Sequence, residues 1–164
     1  MGEAALADPF VIRAGGVTDL PGANRIIEAA IGTWNLPERV KRLALPLYRY
    51  TDVDLTHLDL RLAEGPGGLL AVAAWESADA RDVPGAGPAT LLHGLYVIPG
   101  AHRTGIGTRL LEEGIRSARA SGSRGILVRA QADAEGFFEC LGFSRLPVRD
   151  ESRDYAARFW LSLS

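Results

Sequence analysis

The chain has 164 residues, of which 47% are hydrophobic and 23% are charged. This length and apolar content suffice for one hydrophobic core, so we expect a single domain over residues 1–164. The formal net charge of -2 gives no reason to expect nucleic acid or an anionic membrane surface as a partner. The single cysteine, Cys140, excludes an internal disulfide, and no cysteine or histidine spacing matches a metal site.

The sequence carries no recognisable export or membrane segment. Residues 1–6 lack the basic stretch that begins a secretory signal. No apolar run reaches the roughly 18 residues of a membrane-spanning helix. We therefore expect a cytoplasmic protein that does not enter a membrane.

The first third of the chain predicts a strand and a helix. Residues 10–13 form the strand. The helix is capped by Thr18 or Asp19 and has Pro21 in its first turn, where proline is tolerated. The apolar stripe of this helix consists of Ile26, Ile27, Ala30 and Ile31.

A second helix and a hairpin follow. Residues 37–43 predict the helix, since proline followed by an acidic residue is typical of a helix start, and Pro46 is expected to end or bend it. Residues 58–63 and 69–75 predict two strands, joined by the glycine-rich turn at residues 65–68. Strands joined so closely must pair antiparallel.

The most informative segment follows a polar, glycine- and proline-rich loop at residues 77–88. Residues 91–97 alternate as a strand, and Pro99 ends it before Gly105 and Gly107 open an apolar helix. The residues expected on one face of this strand are Leu91, His93, Leu95 and Val97. Amides at a helix start lack partners within the helix and lie at the positive end of its dipole. Because glycine has no Cβ, this turn predicts a binding site for a pyrophosphate.

The last third predicts a strand, a short helix and a final strand. Residues 125–130 form the first strand, residues 134–143 include the short helix, and residues 155–163 alternate as the last strand. A helix between the strands at 91–97 and 125–130 requires that these two run parallel with a right-handed crossover. Hairpins elsewhere are antiparallel, so we expect a mixed α/β sheet.

Two other phosphate-binding motifs are excluded. The helix start lacks the third glycine of the dinucleotide fingerprint, and no suitable acidic residue follows the next strand. No Gly-Lys-Ser/Thr sequence completes a P-loop.

Two segments together resemble the motifs of the GNAT N-acyltransferases. The first is His102-Arg103-Thr104-Gly105-Ile106-Gly107 after Val97-Ile98-Pro99, similar to the acyl-CoA motif Arg/Gln-x-x-Gly-x-Gly/Ala. It departs from that motif at His102. The second runs from Ala134 to Phe143 and is similar to the later motif Ala-x-x-Phe-Tyr-x-x-x-Gly-Phe, with Phe138 in place of the tyrosine.

The resemblance implies a GNAT-like fold, a mostly antiparallel mixed sheet with helices on both faces and a parallel strand pair that splays apart. Acetyl-CoA is the implied acyl donor and lies between the splayed strands. The implied reaction is direct transfer of the acetyl group from the thioester to a primary amine. The residues expected at the cofactor are Leu95, Tyr96, Val97, His102, Arg103, Thr104, Gly105, Ile106, Gly107, Thr108, Gln131, Phe137 and Phe138.

The general base has two candidates. An alkyl amine with a pKa near 10 is mostly protonated at neutral pH, so a base must take its proton. The family often places a carboxylate at the position of His93, and imidazole also suits the task. Glu76, at the end of the preceding strand, is the reserve candidate. A histidine satisfied by hydrogen bonds within the sheet is the structural alternative for His93.

The acceptor is expected to be the amine of a small molecule or peptide. Trp34, Tyr48 and Tyr50 lie in or beside the two early helices, which in the family wall the acceptor pocket. Core packing explains these aromatic residues equally well. A homodimer is compatible with the resemblance.

Two further hypotheses stay open. A non-catalytic acyl-CoA-binding module would account for the missing tyrosine at Phe138 and the uncertain base. A nucleotide-binding α/β domain would bind ATP or NAD in preference to CoA.

Overall fold

One seven-stranded sheet organises the chain, in the order β1-β2-β3-β4-β5-β7-β6. The computed structural model describes residues 9–163, so the segment 1–6 discussed above lies outside it. The strands are β1 Val11–Ala14, β2 Asp59–Gly65, β3 Gly68–Ser77, β4 Thr90–Val97, β5 Gly125–Arg129, β6 Ser144–Arg145 and β7 Arg158–Ser162. The helices are α1 Leu20–Gly32, α2 Glu38–Tyr48, α3 Ile106–Ala120 and α4 Glu135–Cys140.

The pairing confirms the predicted mixed sheet. Strands β4 and β5 are parallel, and the other neighbouring strands of residues 9–163 are antiparallel. The predicted hairpin of β2 and β3 is also confirmed, because Gly65 pairs with Gly68 across the two-residue turn Pro66-Gly67. Gly68 has a φ of +125°, which few other residues adopt.

Three local expectations need correction. The side chain of Asp19 does not cap α1, because it accepts from the Gly16 amide at 2.9 Å and pairs with Arg13 at 2.8 Å. Of the two expectations for Pro46, the end of the helix is wrong because α2 continues to Tyr48, and the bend stays a prediction. The last strand is shorter than predicted and begins at Arg158.

Strand β6 was missed, because two residues cannot show an alternating pattern. It pairs with β7 through Ser144 opposite Trp160 and Arg145 opposite Phe159.

Two hydrophobic cores lie on the two faces of the sheet. Helices α1 and α2 cover one face, where the predicted stripe of α1 is buried against Leu60, Leu62 and Val72. Helices α3 and α4 cover the other face, where Leu110 and Phe138 pack on the sheet. The expectation of helices on both faces is thus confirmed.

The predicted alternation of β4 is wrong because the strand contains a bulge. Ala74 pairs with Gly94, but the next residue of β3, Trp75, pairs with Leu92, so His93 is an extra residue in β4. An extra residue reverses the inward and outward order beyond it. Leu92 therefore shares the α3 face with Leu95 and Val97.

Helix α3 packs so closely on β3 that only a glycine fits at the contact. A Cβ added to Gly114 would overlap the ring of Trp75. We expect Gly114→Ala to lower the free energy of unfolding by about 1–3 kcal/mol through overpacking, as measured by urea denaturation.

Gly32→Ala is the matched control for this prediction. A Cβ added to Gly32, the last residue of α1, meets no atom of the described residues within 4 Å. Alanine there should be neutral or should stabilise by up to about 1 kcal/mol. Equal unfolding free energies for the two variants would contradict the close packing at Gly114.

Candidate functional site

The parallel strands separate soon after they pair, and a cavity opens between them. The pairing of β4 with β5 consists of Thr90 with Ile126, Leu91 with Leu127 and Leu92 with Val128, and it ends there. Strand β4 continues to Val97, so its last residues have no β5 partner. The cavity at this gap has a volume of about 810 Å³. The predicted splayed pair is therefore confirmed.

Most of the predicted site residues line this one cavity. Those that do are Trp34, Tyr48, His93, Leu95, Tyr96, Val97, His102, Arg103, Gly105, Ile106, Gly107, Thr108, Gln131, Phe137 and Phe138. Three do not belong to its lining, namely Tyr50, Glu76 and Thr104. Proximity at one cavity is consistent with their predicted roles, which stay predictions.

The turn before α3 presents a row of free amides. Gly105 has a φ of +82° and Arg103 a φ of +62°, both left-handed, and α3 begins at Ile106. The first helical hydrogen bond runs from the Arg109 amide to the Gly105 carbonyl at 3.0 Å. Within residues 9–163, the amides of residues 103–108 have no acceptor. Such a row at the positive end of a 15-residue helix can hold an anion.

Two predicted cofactor residues hold the turn together. The imidazole Nε2–H of His102 donates to the Val97 carbonyl at 3.0 Å, and the His102 amide donates to the Pro99 carbonyl at 3.3 Å. The Thr104 hydroxyl donates to the Ala101 carbonyl at 2.5 Å. In this arrangement the His102 amide is engaged within the turn, while the amides that follow it are free.

Gly107 leaves open the space in front of these amides. A Cβ added there would lie 3.6 Å from Val97 Cγ2 and 3.8 Å from Phe137 Cζ, which are ordinary contact distances. A larger side chain would extend into the cavity, which Gly107 itself lines. Packing of the fold would thus tolerate a Cβ at this position, and the glycine serves to keep the cavity open.

His93 is held by a tyrosine from the loop that follows α2. The bulge places its ring against Tyr50, with 3.1 Å between Tyr50 Oη and His93 Nδ1. Tyr50 is 4% exposed, and its backbone is fixed by Asn24, whose side chain donates to the Tyr50 carbonyl and accepts from its amide, both at 2.9 Å. Burial lowers the pKa of His93, and the charge of Arg129 lowers it further.

The tautomer of His93 decides the direction of this hydrogen bond. Burial raises the pKa of Tyr50 and of Tyr96, so both phenols are neutral. The Tyr50 hydroxyl can donate to Nδ1 in one neutral tautomer or accept from Nδ1–H in the other. We expect the second tautomer, in which the Nε2 atom of His93 keeps its lone pair.

Gly94 makes this arrangement possible. A Cβ at Gly94 would lie 2.6 Å from Tyr96 Cε2 and 2.7 Å from Tyr50 Oη. No side chain fits in that space without displacing both tyrosines.

Glu76, the reserve candidate for the base, lies beside the cavity lining. Its carboxylate is 3.6 Å from His57 Nε2. Its charge raises the pKa of His93 and so opposes the effect of burial. Glu76 thus acts on His93 electrostatically in this structure.

Two loops meet at the far end of the cavity. The rings of Trp34 and Tyr48 contact edge to face at 5.3 Å, and the Gln131 amide donates to the Tyr48 hydroxyl at 3.1 Å. The Asn35 amide lies 3.5 Å from the Asp133 carboxylate. These contacts join the segment between α1 and α2, and the last residue of α2, to the segment after β5. The expected acceptor wall and the expected cofactor wall therefore adjoin.

Arg129 and Asp133 are charged lining residues that neither sequence motif indicates. Arg129 ends β5, and a charged side chain at the carboxyl end of a parallel strand is the signal that could have identified it.

Phe138 brings no proton donor to the cavity. It is 4% exposed and packs edge to face on Phe137 and Phe143, with ring centroids at 5.2 and 5.4 Å.

Comparisons with known proteins agree with this geometry. Residues 81–156 match the family model of the acetyltransferase (GNAT) domain. The chain is similar in structure to the PaiA N-acetyltransferase of Thermoplasma acidophilum in complex with coenzyme A, with a TM-score of 0.74 and 14% identity over 93% of this chain and 98% of that chain. No curated protein matches the chain in sequence.

Two further solved structures show the same fold. A GNAT-family acetyltransferase of Brucella melitensis in complex with acetyl-CoA has a TM-score of 0.66 and 19% identity, over 94% of this chain and 88% of that chain. A GCN5-related N-acetyltransferase of Rhodopseudomonas palustris has a TM-score of 0.72 and 20% identity, over 99% and 100%. Among residues 9–163, no helix is long and apolar enough to cross a membrane.

The hydrogen bond between Tyr50 and His93 can be tested by NMR. The ring should titrate below the ordinary histidine pKa of about 6.5. Nitrogen-15 shifts above that pKa should identify Nε2 as the unprotonated nitrogen. Tyr50→Phe should lower the pKa further, because Nδ1–H donates more strongly from the charged ring.

Tyr48→Phe is the matched control, since the Tyr48 hydroxyl contacts Gln131 instead of His93. It should leave the pKa of His93 unchanged. A proton on Nε2 in the neutral ring, or a rise of the pKa in Tyr50→Phe, would reverse the assigned direction.

Proposed function

We propose that the chain, whose residues 81–156 match the acetyltransferase (GNAT) domain, is an enzyme of that family that transfers the acetyl group of acetyl-CoA directly to a primary amine. The row of free amides at residues 103–108, of which all but Thr104 line the cavity between β4 and β5, is the observation that carries this proposal. It suits a pyrophosphate, which bears several anionic oxygens close together. An adjoining cavity of about 810 Å³ has room for the rest of such a donor.

The donor would extend from the turn along the free edge of β4. Beyond Leu92, the side of β4 that faces β5 has no strand partner. The amides of a pantetheine arm can pair with backbone groups of Leu95, Tyr96 and Val97, as an added strand pairs with a sheet edge. A backbone N–H at this edge can also donate to the thioester oxygen as negative charge develops there.

The lining supports direct transfer over a covalent acyl-enzyme. Among the described residues, the cavity lining has no cysteine or serine, and its aliphatic hydroxyls are those of Thr33 and Thr108. The single cysteine, Cys140, is exposed at the end of α4. A threonine hydroxyl is a weak nucleophile unless a base activates it, so without a thiol at the site the amine itself attacks the thioester carbon.

His93 is the proposed general base. Its Nε2 takes a proton as the amine forms the new C–N bond, the tetrahedral intermediate collapses, and the C–S bond breaks to release CoA thiolate. A thiol pKa of about 8.5 makes the thiolate a tolerable leaving group. Solvent can then protonate the sulfur, which accounts for a phenylalanine at position 138.

A non-catalytic acyl-CoA-binding module is the second candidate, favoured by the absence of a hydroxyl at Phe138. Release of CoA thiol from acetyl-CoA in the presence of a panel of amines separates the two functions. Calorimetry with CoA measures binding independently of turnover. Thiol release that depends on an amine supports the enzyme, and binding without release supports the module.

The position of the pyrophosphate is tested by Gly107→Val. The branched side chain would fill the space in front of the free amides while its Cβ meets neighbours at ordinary distances. We expect the Kd for CoA to rise on the order of tenfold or more, because hydrogen bonds to charged phosphate oxygens are lost. Calorimetry measures this change.

Gly100→Ala is the matched control on the same turn. Its added Cβ meets no described atom within 4 Å, and Gly100 is outside the cavity lining. It should leave the Kd for CoA unchanged. A folded Gly107→Val variant with unaltered CoA affinity would rule out the assigned phosphate position.

Replacement of His93 tests the base. His93→Ala should reduce turnover on the order of 10²- to 10⁴-fold while CoA affinity is retained. In the wild type, activity should fall on the acidic side as His93 becomes protonated. Because burial lowers its pKa, this limb should have its midpoint below about 6.5 and should be absent in His93→Ala.

Glu76→Gln distinguishes the two candidates. It should reduce turnover less than His93→Ala does. It should also shift the acidic limb of the pH profile to lower pH, because it removes a charge that raises the pKa of His93. If Glu76→Gln lost as much turnover as His93→Ala, and the pH profile of His93→Ala kept its acidic limb, Glu76 would be the base.

A further inference from the structure

Two arginines lie directly opposite each other where β5 ends. Arg129, the last residue of β5, pairs in register with Arg158, the first residue of β7. Like charges directly opposite on neighbouring strands destabilise a sheet. A pair of this kind requires negative charge beside it.

Arg158 has its partners within the protein. Only 6% of it is exposed, and it donates to the main-chain oxygens of Asp82 at 2.9 Å and Pro147 at 3.1 Å. Its guanidinium also lies 3.2 Å from the Asp154 carboxylate. Arg158 is therefore fixed, and its charge is permanently present behind Arg129.

Arg129 is much less well neutralised. The Asp82 carboxylate makes its short contact, 2.8 Å, with Arg153 and reaches Arg129 only at 3.4 Å. Two arginines thus share one carboxylate, and the longer contact belongs to Arg129. With its side chain 45% exposed, Arg129 can accept another anionic partner.

The place of Arg129 links this charge to the reaction. It lines the main cavity beside His93 and also lines a second cavity of about 550 Å³, on the side of Asp82 and Arg153. His93, the proposed base, and Arg129 line the same main cavity. An acceptor in that cavity can therefore present its amine to His93 and an anionic group to Arg129.

We infer that Arg129 binds an anionic group of the acceptor, so that the preferred substrates are amines that also carry a carboxylate or a similar oxyanion. A planar guanidinium can hold a carboxylate by two parallel hydrogen bonds, or a phosphonate oxygen pair in the same way. This inference rests on the proposed function, since it names the acceptor of that reaction.

Matched acceptors test the inference. β-Alanine and its longer ω-amino homologues carry a carboxylate, and the corresponding ω-amino amides have the same size without the charge. Aminoalkylphosphonates of the same lengths separate a phosphonate from a carboxylate preference. The wild type should show a kcat/KM for the favoured anionic acceptor on the order of 10- to 100-fold above that of its neutral amide.

Arg129→Gln removes the charge and keeps most of the side-chain length. It should raise KM for the anionic acceptor on the order of 10- to 100-fold and leave KM for the neutral amide within about twofold. Any effect through His93 would alter kcat for both acceptors alike, so the difference in KM isolates Arg129. Arg81→Gln is the control, because exposed Arg81 already pairs with Asp79 at 2.6 Å.

Binding supplies a readout independent of turnover. Calorimetry in the presence of CoA, with β-alanine homologues as probes, should show binding to the wild type and to Arg81→Gln that is lost in Arg129→Gln. If the neutral amides are acetylated as fast as the anionic acceptors, and Arg129→Gln changes neither rate, the inference is overturned and the proposed function stands. Anion-dependent binding that requires Arg129, without acetylation of any amine, would support the inference and overturn the proposed function.

Discussion

Strand β4 carries one residue more than the strand that pairs with it, and the geometry of the site depends on this bulge at His93. The last parallel pair, Leu92 with Val128, comes immediately before the extra residue. A bulge bends its strand and increases its local twist. Strand β4 can therefore stay paired with β3 up to Val97 while it leaves β5. One extra residue thus accounts for the open cavity, for the free edge of β4 and for the direction of the His93 ring.

An open gap in a sheet must be supported on both faces, and the structure shows how. On one face, α3 is held against β3 by the fit of Trp75 at Gly114, which fixes the helix whose amino terminus bears the free amides. On the other face, Asn24 of α1 fixes the backbone of Tyr50, and Tyr50 fixes His93. The donor side and the base side of the cavity are thus positioned by different cores.

The parts of the fold that sequence predicts are those with local causes. The turn before α3 depends on Gly105 and Gly107, and α1 depends on the spacing of its own apolar residues. Each is set by a single short segment, and both elements are confirmed. The bulge is a matter of register between two strands, so the alternation of β4 alone could not show it. The cap at Asp19 failed because Arg13, from another element, competes for the same carboxylate.

The candidate site divides in the same way. The amide row follows from the sequence of one turn, whereas the contact of Tyr50 with His93 joins residues 43 positions apart. Arg129 looks like an ordinary solvated strand end until β7 places Arg158 opposite it. Long-range pairing, not residue type, distinguishes Arg129 from the arginines that play no part in the site.

The balance of charge around His93 has a consequence for catalysis. Burial, Arg129 and His57 lower its pKa while Glu76 and Asp54 raise it, and the net lowering keeps the ring neutral and able to accept a proton but makes it a weaker base. An anionic group bound at Arg129 would offset the positive charge there. The pKa of His93 would then rise toward its ordinary value, and the base would become stronger only while such an acceptor occupies the site. Arg129 would in this way couple recognition of the acceptor to removal of its proton.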